Sequence, residues 1–441
     1  MKVFILDVGK VGLPMAMRML DDGHDVRLWM PPDKGGKPSP IGRGIVKVVP
    51  TWERSMDWAD LIVMTDNMKL GDRIEPFFRK GYPIFGANKA SAALELDREL
   101  GQDVLKKAGI DVLPYKTFSS YDAAIAYVVK EDKPFVSKPW GGNPDKSLSY
   151  VPKTPEDLIS QLEHWKKQKL PGEFMLQEKV DGHEMAVGVW CGPQGFLPPI
   201  NENWEEKRLL NGGLGPNTGE MGTIMRYVEK SKLFDKVLKP LEQEMVDRGY
   251  VGYVDVNCII TDDGTPWPLE FTMRFGWPHF NLCMNLHEVD SVEWMADLID
   301  GQDSLRVKYD TTCLGVVMAL KDYPWDLLPM EQSVGHPIRG LTPKILPYVH
   351  MSSVMRDTAP VRYAGKIAWK ETYCTAGTYA LVVTGLGETV TAAHDDAYAH
   401  VEKINWPPHK TYRTDIGARL EKDLPALQKL GYAKGMNYGK S

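Results

Sequence analysis

Two acids on a short hairpin, a lysine before a glycine-rich loop and a second glycine-rich stretch have the types and spacing for chemistry in this 441-residue chain. Asp255 and Glu270 lie on either side of the turn DDGT, and Asn257 follows Asp255 by two residues. Residues two apart on a strand share a face. The hairpin is therefore expected to set Asp255 against Glu270, with Asn257 beside them. Two adjacent carboxylates repel unless a cation lies between them. Magnesium (or manganese) suits such a pair, because it takes few carboxylates and fills its shell with phosphate oxygens. The alternative is that one carboxylate pairs with Arg274. Lys138 ends the apolar run PFVSK, and GGNPDKS, which contains Lys146, follows. Glycine-rich backbone can press N–H groups against phosphate, and a lysine adds a point charge. It is not a Walker loop, and alone it reads as a flexible surface loop.

The second stretch is GGLGPNTGEMG, from Gly212 to Gly222, with five glycines in eleven residues. It is expected to be neither helix nor regular strand but a shaped loop. At the start of the chain, Gly9 and Gly12 have the last two spacings of a dinucleotide fingerprint. Asp7 stands at the first glycine position, and Trp29 stands where a ribose-binding acid belongs. This reads as a tight strand-to-helix turn. A dehydrogenase is the weaker enzyme hypothesis.

The elements that must position these residues follow from periodicity. KVFILDV, a helix closed by Gly23, and DVRLWM make a β-α-β opening, joined by the strand candidates WADLIVMTD and YPIFGAN. Residues 93 to about 130 are helical in pattern. TPEDLISQLEHWKKQ is a helix with Thr154 as N-cap. EFMLQEKV and HEMAVGVWC are strands, and KLFDKVLKPLEQEMVDRG reads as one long helix. YVDVNCIIT and PWPLEFTMRFG pair about DDGT. TCLGVVMAL opens a third region, and a polar helical tail follows residue 416.

The length calls for several domains. With 43% hydrophobic and 25% charged residues, the composition is that of an ordinary globular protein. The net charge of -6 gives no footprint for stable binding of duplex nucleic acid. Five dispersed cysteines contain no C-x-x-C pair and suit a reducing cytoplasm. No apolar run is long enough to span a membrane, and no signal peptide is read at MKVFILDVG.

Taken together, these segments resemble the glycinamide ribonucleotide synthetases (phosphoribosylamine–glycine ligases) of the ATP-grasp superfamily. "IFGANKASAALELDRELGQDVLKKAGI" looks like that family's entry into its ATP-grasp domain. "GLGPNTGEMG" is similar to its G-P-N-T-G-G-M-G, with Glu220 in place of a glycine. "PLEFTMRFGWP" is similar to its L-E-F-N-x-R-F-G-D-P, and "TYRTDIGAR" to its Y-R-x-D-I-G-x-R. The resemblance implies an α/β chain in three parts. These are a Rossmann-like pre-ATP-grasp domain (1–92), an ATP-grasp α+β domain (93–310, with a nucleotide-binding subdomain near 112–183) and a small β-rich C-terminal domain (311–415). A helical tail (416–441) completes the chain.

It also implies a reaction. ATP phosphorylates a carboxylate to an acyl phosphate, and an amine displaces phosphate to give an amide. By resemblance, Lys138, Arg98 and Lys146 hold the ATP phosphates. Glu178, Lys179 and Val180 form the adenine-reading hinge, Glu184 lies at the ribose, and Lys207 falls near a basic segment of the nucleotide site. Glu270 is a metal ligand, with Asp255 and Asn257 at or beside ligand positions. Arg274 stabilises the transferring phosphoryl group or the substrate carboxylate. Asn217, Thr218 and Gly219 form the loop over the acyl phosphate.

The chain also departs from that pattern. VGKVGLPMA replaces the family's phosphate-holding G-G-R-E-H-A, and MTDNMKLGD replaces G-P-E-x-P-L. AGTYA replaces a C-terminal G-G-R, Thr272 replaces a metal-binding asparagine, and Trp277 and His279 are new. The expectation is a cytoplasmic ligase, monomeric or homodimeric, that joins glycine or another small amino acid to an amine other than phosphoribosylamine. A nucleobase, nucleotide or aromatic amine would suit Trp277 and His279. Two alternatives stay open. One is a true purine-pathway enzyme holding the sugar phosphate through Arg18, Lys10 or Lys69. The other is a non-catalytic nucleotide-binding relative.

Overall fold

The computed structural model describes all residues except 34, 68–69, 140–148, 171–172, 326, 328, 408–409 and 440–441. Lys146, the GGNPDKS loop and Lys69 therefore lie outside the described residues.

The first sheet comprises β1 (Lys2–Leu6), β2 (Asp25–Trp29), β3 (Lys47–Val48), β4 (Leu61–Met64) and β5 (Ile84–Phe85). All pairings are parallel, in the order β3-β2-β1-β4-β5. Strands buried on both faces need continuous apolar runs, and LIVM in β4 is buried at every position. The helical stretch after residue 88 is two helices, Lys89–Leu96 and Arg98–Lys107. Asp97 breaks it: its extended backbone ends one helix, and its carboxylate accepts from Glu99 N and Leu100 N, both at 3.1 Å, to cap the next. The break sets Arg98 at the first turn of the second helix.

A small sheet follows, with β6 (Tyr115–Phe118), β7 (Phe135–Pro139) and β8 (Phe174–Glu178) in the order β6-β8-β7. Strand β6 lies inside the segment read as helical. Its YKTF has the β-branched and aromatic composition of a strand, and pairing with β8 fixes it. The helix Pro155–Lys167 begins at Thr154 in a reciprocal capping box with Asp157.

The main sheet has nine strands. β9 (His183–Gly192), β10 (Gly195–Leu210), β11 (Leu214–Val228), β12 (Gly252–Ile260) and β13 (Pro266–Thr272) are joined by β14 (Thr312–Leu320). Later in the chain come β15 (Val334–Pro337), β16 (Val349–Met351), β17 (Val354–Tyr363), β18 (Lys366–Ala376), β19 (Tyr379–Gly387) and β20 (Lys410–Thr411). The main order is β13-β12-β9-β10-β11-β14-β19-β16, with β20 on β14. Strands β15, β18 and β17 form a separate sheet. One sheet thus runs through the sequence boundary near residue 311.

Three expectations are corrected here. Most of GGLGPNTGEMG is strand, not loop: only Asn211–Gly213 turns, and β11 starts at Leu214 and pairs with β10. The last glycine serves close packing instead. A Cβ on Gly222 would lie 2.7 Å from Gly315 O and 2.6 Å from Ile416 Cδ1. The expected long helix after residue 231 is two short helices, Lys232–Val237 and Glu242–Asp247, joined by a 3-10 turn. Pro240 in that turn lacks the N–H that would continue the helix. The tail helix Leu420–Lys429 is less polar than expected, because Leu420, Leu424 and Leu427 are buried.

An aromatic cluster holds the first sheet to the main one. Phe85 of β5 stacks on Phe275 at 5.7 Å, and Trp190 of β9 meets Trp294 at 4.7 Å. Each such ring buries about 150–250 Å². The chain after β13 is thereby fixed against β5. Among the described residues no helix is long and apolar enough to cross a membrane.

Candidate active site

The hairpin is as expected, but its register is not. Asp255 stands opposite Thr272, and Asn257 stands opposite Glu270, with an irregularity between Asn257 and Cys258. Asp255 Oδ2 accepts from Asn203 Nδ2 at 2.8 Å and Tyr253 OH at 2.9 Å. Burial, then the charge of Glu205, pushes the Asp255 carboxyl up to about 7. Glu270 faces cations: Arg98 Nη2 at 3.2 Å and Lys207 Nζ at 3.7 Å. Neither acid is the ion-pair partner of Arg274. That partner is Glu95, whose Oε1 is 2.9 Å from Arg274 Nη2. Glu95 also accepts from Met273 N at 2.7 Å and Asn67 Nδ2 at 2.8 Å. Glu95 was not singled out in the sequence; a glutamate in an alanine-rich helix gives no local signal.

Asn257 Nδ2 donates to Glu184 at 2.7 Å and to Glu205 at 3.2 Å, and its buried Oδ1 has no partner. Glu184 also meets Arg419 Nη1 at 3.3 Å. Lys207 Nζ is 2.9 Å from Glu205. Burial opposes the Lys207 ammonium, but Glu205, Glu270 and Glu184 outweigh it and hold its pKa well above the ordinary value. Lys207, Arg98, Glu270, Glu205, Asn257 and Glu184 thus form one charged group across β9, β10, β12 and β13. Sequence reasoning missed Glu205, which lies two residues from Lys207 on β10.

Lys138 on β7 donates to Gln177 Oε1 at 2.7 Å. Burial lowers its pKa to about 7, Arg98 and Lys207 push the same way, and Glu270 opposes them. Its ammonium is therefore not fully charged at neutral pH until an anion arrives. A phosphate ligand favours the charged form, so nucleotide binding takes up a proton above pH 7. The expected result is nucleotide affinity that is flat below about pH 7 and falls by up to about tenfold per pH unit above it. Calorimetry in buffers of different ionisation heat measures the proton uptake. Lys138→Arg removes the dependence, because arginine stays charged.

Glu178, Lys179 and Val180 lie where β8 passes into β9. The Glu178 amide donates to Pro114 O at 2.9 Å, its carboxylate takes Lys133, and Lys179 meets Asp181 at 3.7 Å. On β11, Asn217 and Gly219 are exposed, whereas Thr218 is buried and donates to Lys207 O at 2.8 Å. That bond ties the glycine-rich strand to the lysine.

At the other end of the site, Asp7 fills its own turn. It accepts from Val11 N at 3.0 Å, Gly12 N at 2.7 Å and Thr65 Oγ1 at 2.7 Å. The amides that a dinucleotide site aims at pyrophosphate are thus committed to a buried carboxylate. Trp277 lies over Gly9: a Cβ there would be 2.6 Å from the indole Cζ2. Trp277 meets Tyr379 at 5.8 Å, and both line a cleft with Thr65, Phe280 and Asn281. His279 packs against Tyr253 in a tilted pair with ring centroids 4.1 Å apart, and burial pushes its pKa down to about 3, so the ring is neutral.

The "Phosphoribosylglycinamide synthetase, ATP-grasp (A) domain" model matches residues 97–280, and the "Phosphoribosylglycinamide synthetase, C domain" model matches residues 313–419. The chain belongs to the phosphoribosylglycinamide synthetase-like ATP-grasp ligases. It is an ATP-dependent ligase that forms C–N bonds by joining a carboxylate to an amine, which displaces the dehydrogenase and non-catalytic readings. Phosphoribosylamine–glycine ligase of Ralstonia nicotianae is 29% identical over 78% of this chain and 81% of its own length. That of Streptococcus pneumoniae is 26% identical over 84% and 86%. The crystal structure of phosphoribosylamine–glycine ligase from Thermotoga maritima covers 95% of this chain and all of its own, with a TM-score of 0.70 at 24% identity. N5-carboxyaminoimidazole synthetase from Staphylococcus aureus complexed with ADP shares the fold, with a TM-score of 0.56 at 15% identity over 91% of this chain and 97% of its own.

Proposed function

We propose that this ligase activates a small amino acid, glycine first among them, as an acyl phosphate and joins it to an amine. The observation that carries the reading is the charged group around Lys207. Its cations, Lys207 and Arg98, share Glu270, and Thr218 ties the glycine-rich strand to Lys207. Charge builds on the phosphoryl group as it moves, so cations and N–H donors must be in place beforehand. In the first step the Pγ–O bond to ADP breaks as a bond forms to a carboxylate oxygen. In the second the amine nitrogen takes the acyl carbon and phosphate leaves.

Lys138 and Arg98 are assigned to the ATP phosphates, Glu178 to Val180 to the adenine, and Glu184 to the ribose side. Arg274 is assigned to the transferring phosphoryl group or the substrate carboxylate. Asn217, Thr218 and Gly219 cover the acyl phosphate. Glu270, Glu205 and the unpartnered Asn257 Oδ1 are oxygen donors, which suit Mg2+. Bound there, Mg2+ would neutralise phosphate charge.

For the amine, the relatives' names support phosphoribosylamine, and they support it better than the different amine expected from the sequence. One observation favours the second reading. The first turn, expected to have lost its phosphate-holding residues, spends its amides on Asp7 and is covered by Trp277. A buried carboxylate there would repel a sugar phosphate. The test is ADP release from Mg-ATP and glycine, with hydroxylamine or phosphoribosylamine as amine. A glycine hydroxamate establishes the acid. Strong acceleration by phosphoribosylamine establishes the relatives' pair, and none leaves the second reading. No ADP with any small amino acid sinks the proposal.

A further inference from the structure

The residues that line a small cavity beside the charged group include Asn203, Glu205, Glu220, Thr223, Tyr253 and Asp255. Three of these are carboxylates, and two of the three already have donors. Glu205 has Lys207 at 2.9 Å, and Asp255 has Asn203 and Tyr253. Glu220 is different. It is 4% exposed, and its buried Oε1 has no hydrogen-bond partner. Thr223, 1% exposed, also has an unpartnered Oγ1. Unmade hydrogen bonds at buried polar atoms are rare and costly, so each asks what completes it.

The strand geometry explains why both face one space. Residues three apart on a regular strand point to opposite faces. Here the register against β10 jumps: Asn217 pairs with Arg208, while Gly222 pairs with Glu206. The irregular residues between them let Glu220 and Thr223 line the same cavity. Glu220 also stands where the glycine-rich motif has a glycine, so this acceptor is a feature of this chain.

We propose that Glu220, with Asp255 and Thr223, holds the α-ammonium of the amino acid whose carboxylate is phosphorylated. The assignment rests on the ligase reading above. An ammonium brings three N–H donors, which matches the unpartnered Glu220 Oε1 and Thr223 Oγ1 and the neighbouring Asp255 carboxyl group. The cavity adjoins Lys207 and the strand bearing Thr218, so a carboxylate one carbon from the ammonium would lie toward the phosphoryl-transfer group. Its free volume is only about 10 Å³, room for one compact group such as an ammonium and not for a nucleotide. Glu220 is then a specificity-determining residue: it selects amino acids over the matching hydroxy acids.

The test compares glycine, alanine and serine with glycolate, lactate and glycerate. Each is titrated calorimetrically into the full chain with Mg-ADP, and each is assayed for ADP release with hydroxylamine. The wild type is expected to prefer an amino acid over its hydroxy acid by about 100-fold, since a site built for a buried polar contact rejects the analogue lacking it. Glu220→Gln is expected to remove most of that preference and leave the KM for ATP and the Mg2+ dependence unchanged. Glu220→Ala should do the same, which covers the case of one variant folding poorly. An unchanged preference in both variants overturns the proposal. So does a change in Mg2+ dependence alone, which would make the cavity a metal site. Failure of all six acids to bind overturns it too. Amino-acid binding that depends on Glu220, without ADP release for any acid, keeps this assignment and removes the ligase substrate reading instead.

Discussion

Arg274→Lys is expected to leave the fold intact and to lower kcat by roughly 10²–10³-fold, the usual loss when one preorganised donor is withdrawn from developing charge. The side chain leaves the end of β13 and is held at two points, by Glu95 Oε1 at 2.9 Å and Phe275 O at 3.0 Å. Burial works against its charge, but Glu95, Asp66 and Glu270 keep the guanidinium protonated. Lysine can keep the ion pair with Glu95, so no buried carboxylate is left alone. It cannot keep both contacts and still present a planar fork to a phosphoryl group. The loss is therefore expected in kcat at saturating ATP, with a thermal midpoint close to that of the wild type. A decrease of less than about threefold would remove Arg274 from the reacting group.

Arg413→Met is expected to act on stability, by about 3 kcal/mol in a denaturant titration. Arg413 is 2% exposed and joins three parts of the chain. Its guanidinium is 3.2 Å from Glu206 and 2.8 Å from Asp415, and it donates to Arg208 O at 3.1 Å. Asp415 in turn accepts from Gly212 N at 2.7 Å. The arginine thus anchors the turn between β10 and β11. Breaking a buried pair on one side usually costs about 3–5 kcal/mol. The low end applies because Arg419 Nε remains 3.5 Å from Glu206. Adding Glu206→Gln should recover most of the loss, since Glu206 is the more buried of the two carboxylates left behind. Additive losses would show that the two residues are not coupled.

Several features were decided by local sequence alone. Thr154 with Asp157 three residues later is a helix start whatever surrounds it, and the capping box is present. The apolar strands around the β1 turn and the hairpin about DDGT needed only periodicity and turn chemistry. The motifs around Thr218 and Glu270, with TYRTDIGAR near the end of the chain, carried the reaction class through their resemblance to the ATP-grasp ligases.

The partners were decided by tertiary structure. Arg274 faces Glu95 across 178 intervening positions, outside any local window. Asp255 lies opposite Thr272 rather than Glu270, because the register of a hairpin depends on where the ladder is irregular. Whole-fold pairing also turned a glycine-rich stretch into a strand: Gly222 is needed where Gly315 and Ile416 come close. The charge pattern gave no hint that Asp7 would occupy the first turn's amides, or that Glu220 Oε1 would be left without a partner. Both depend on burial, which follows from the packing of distant segments and not from the residue or its neighbours in the chain.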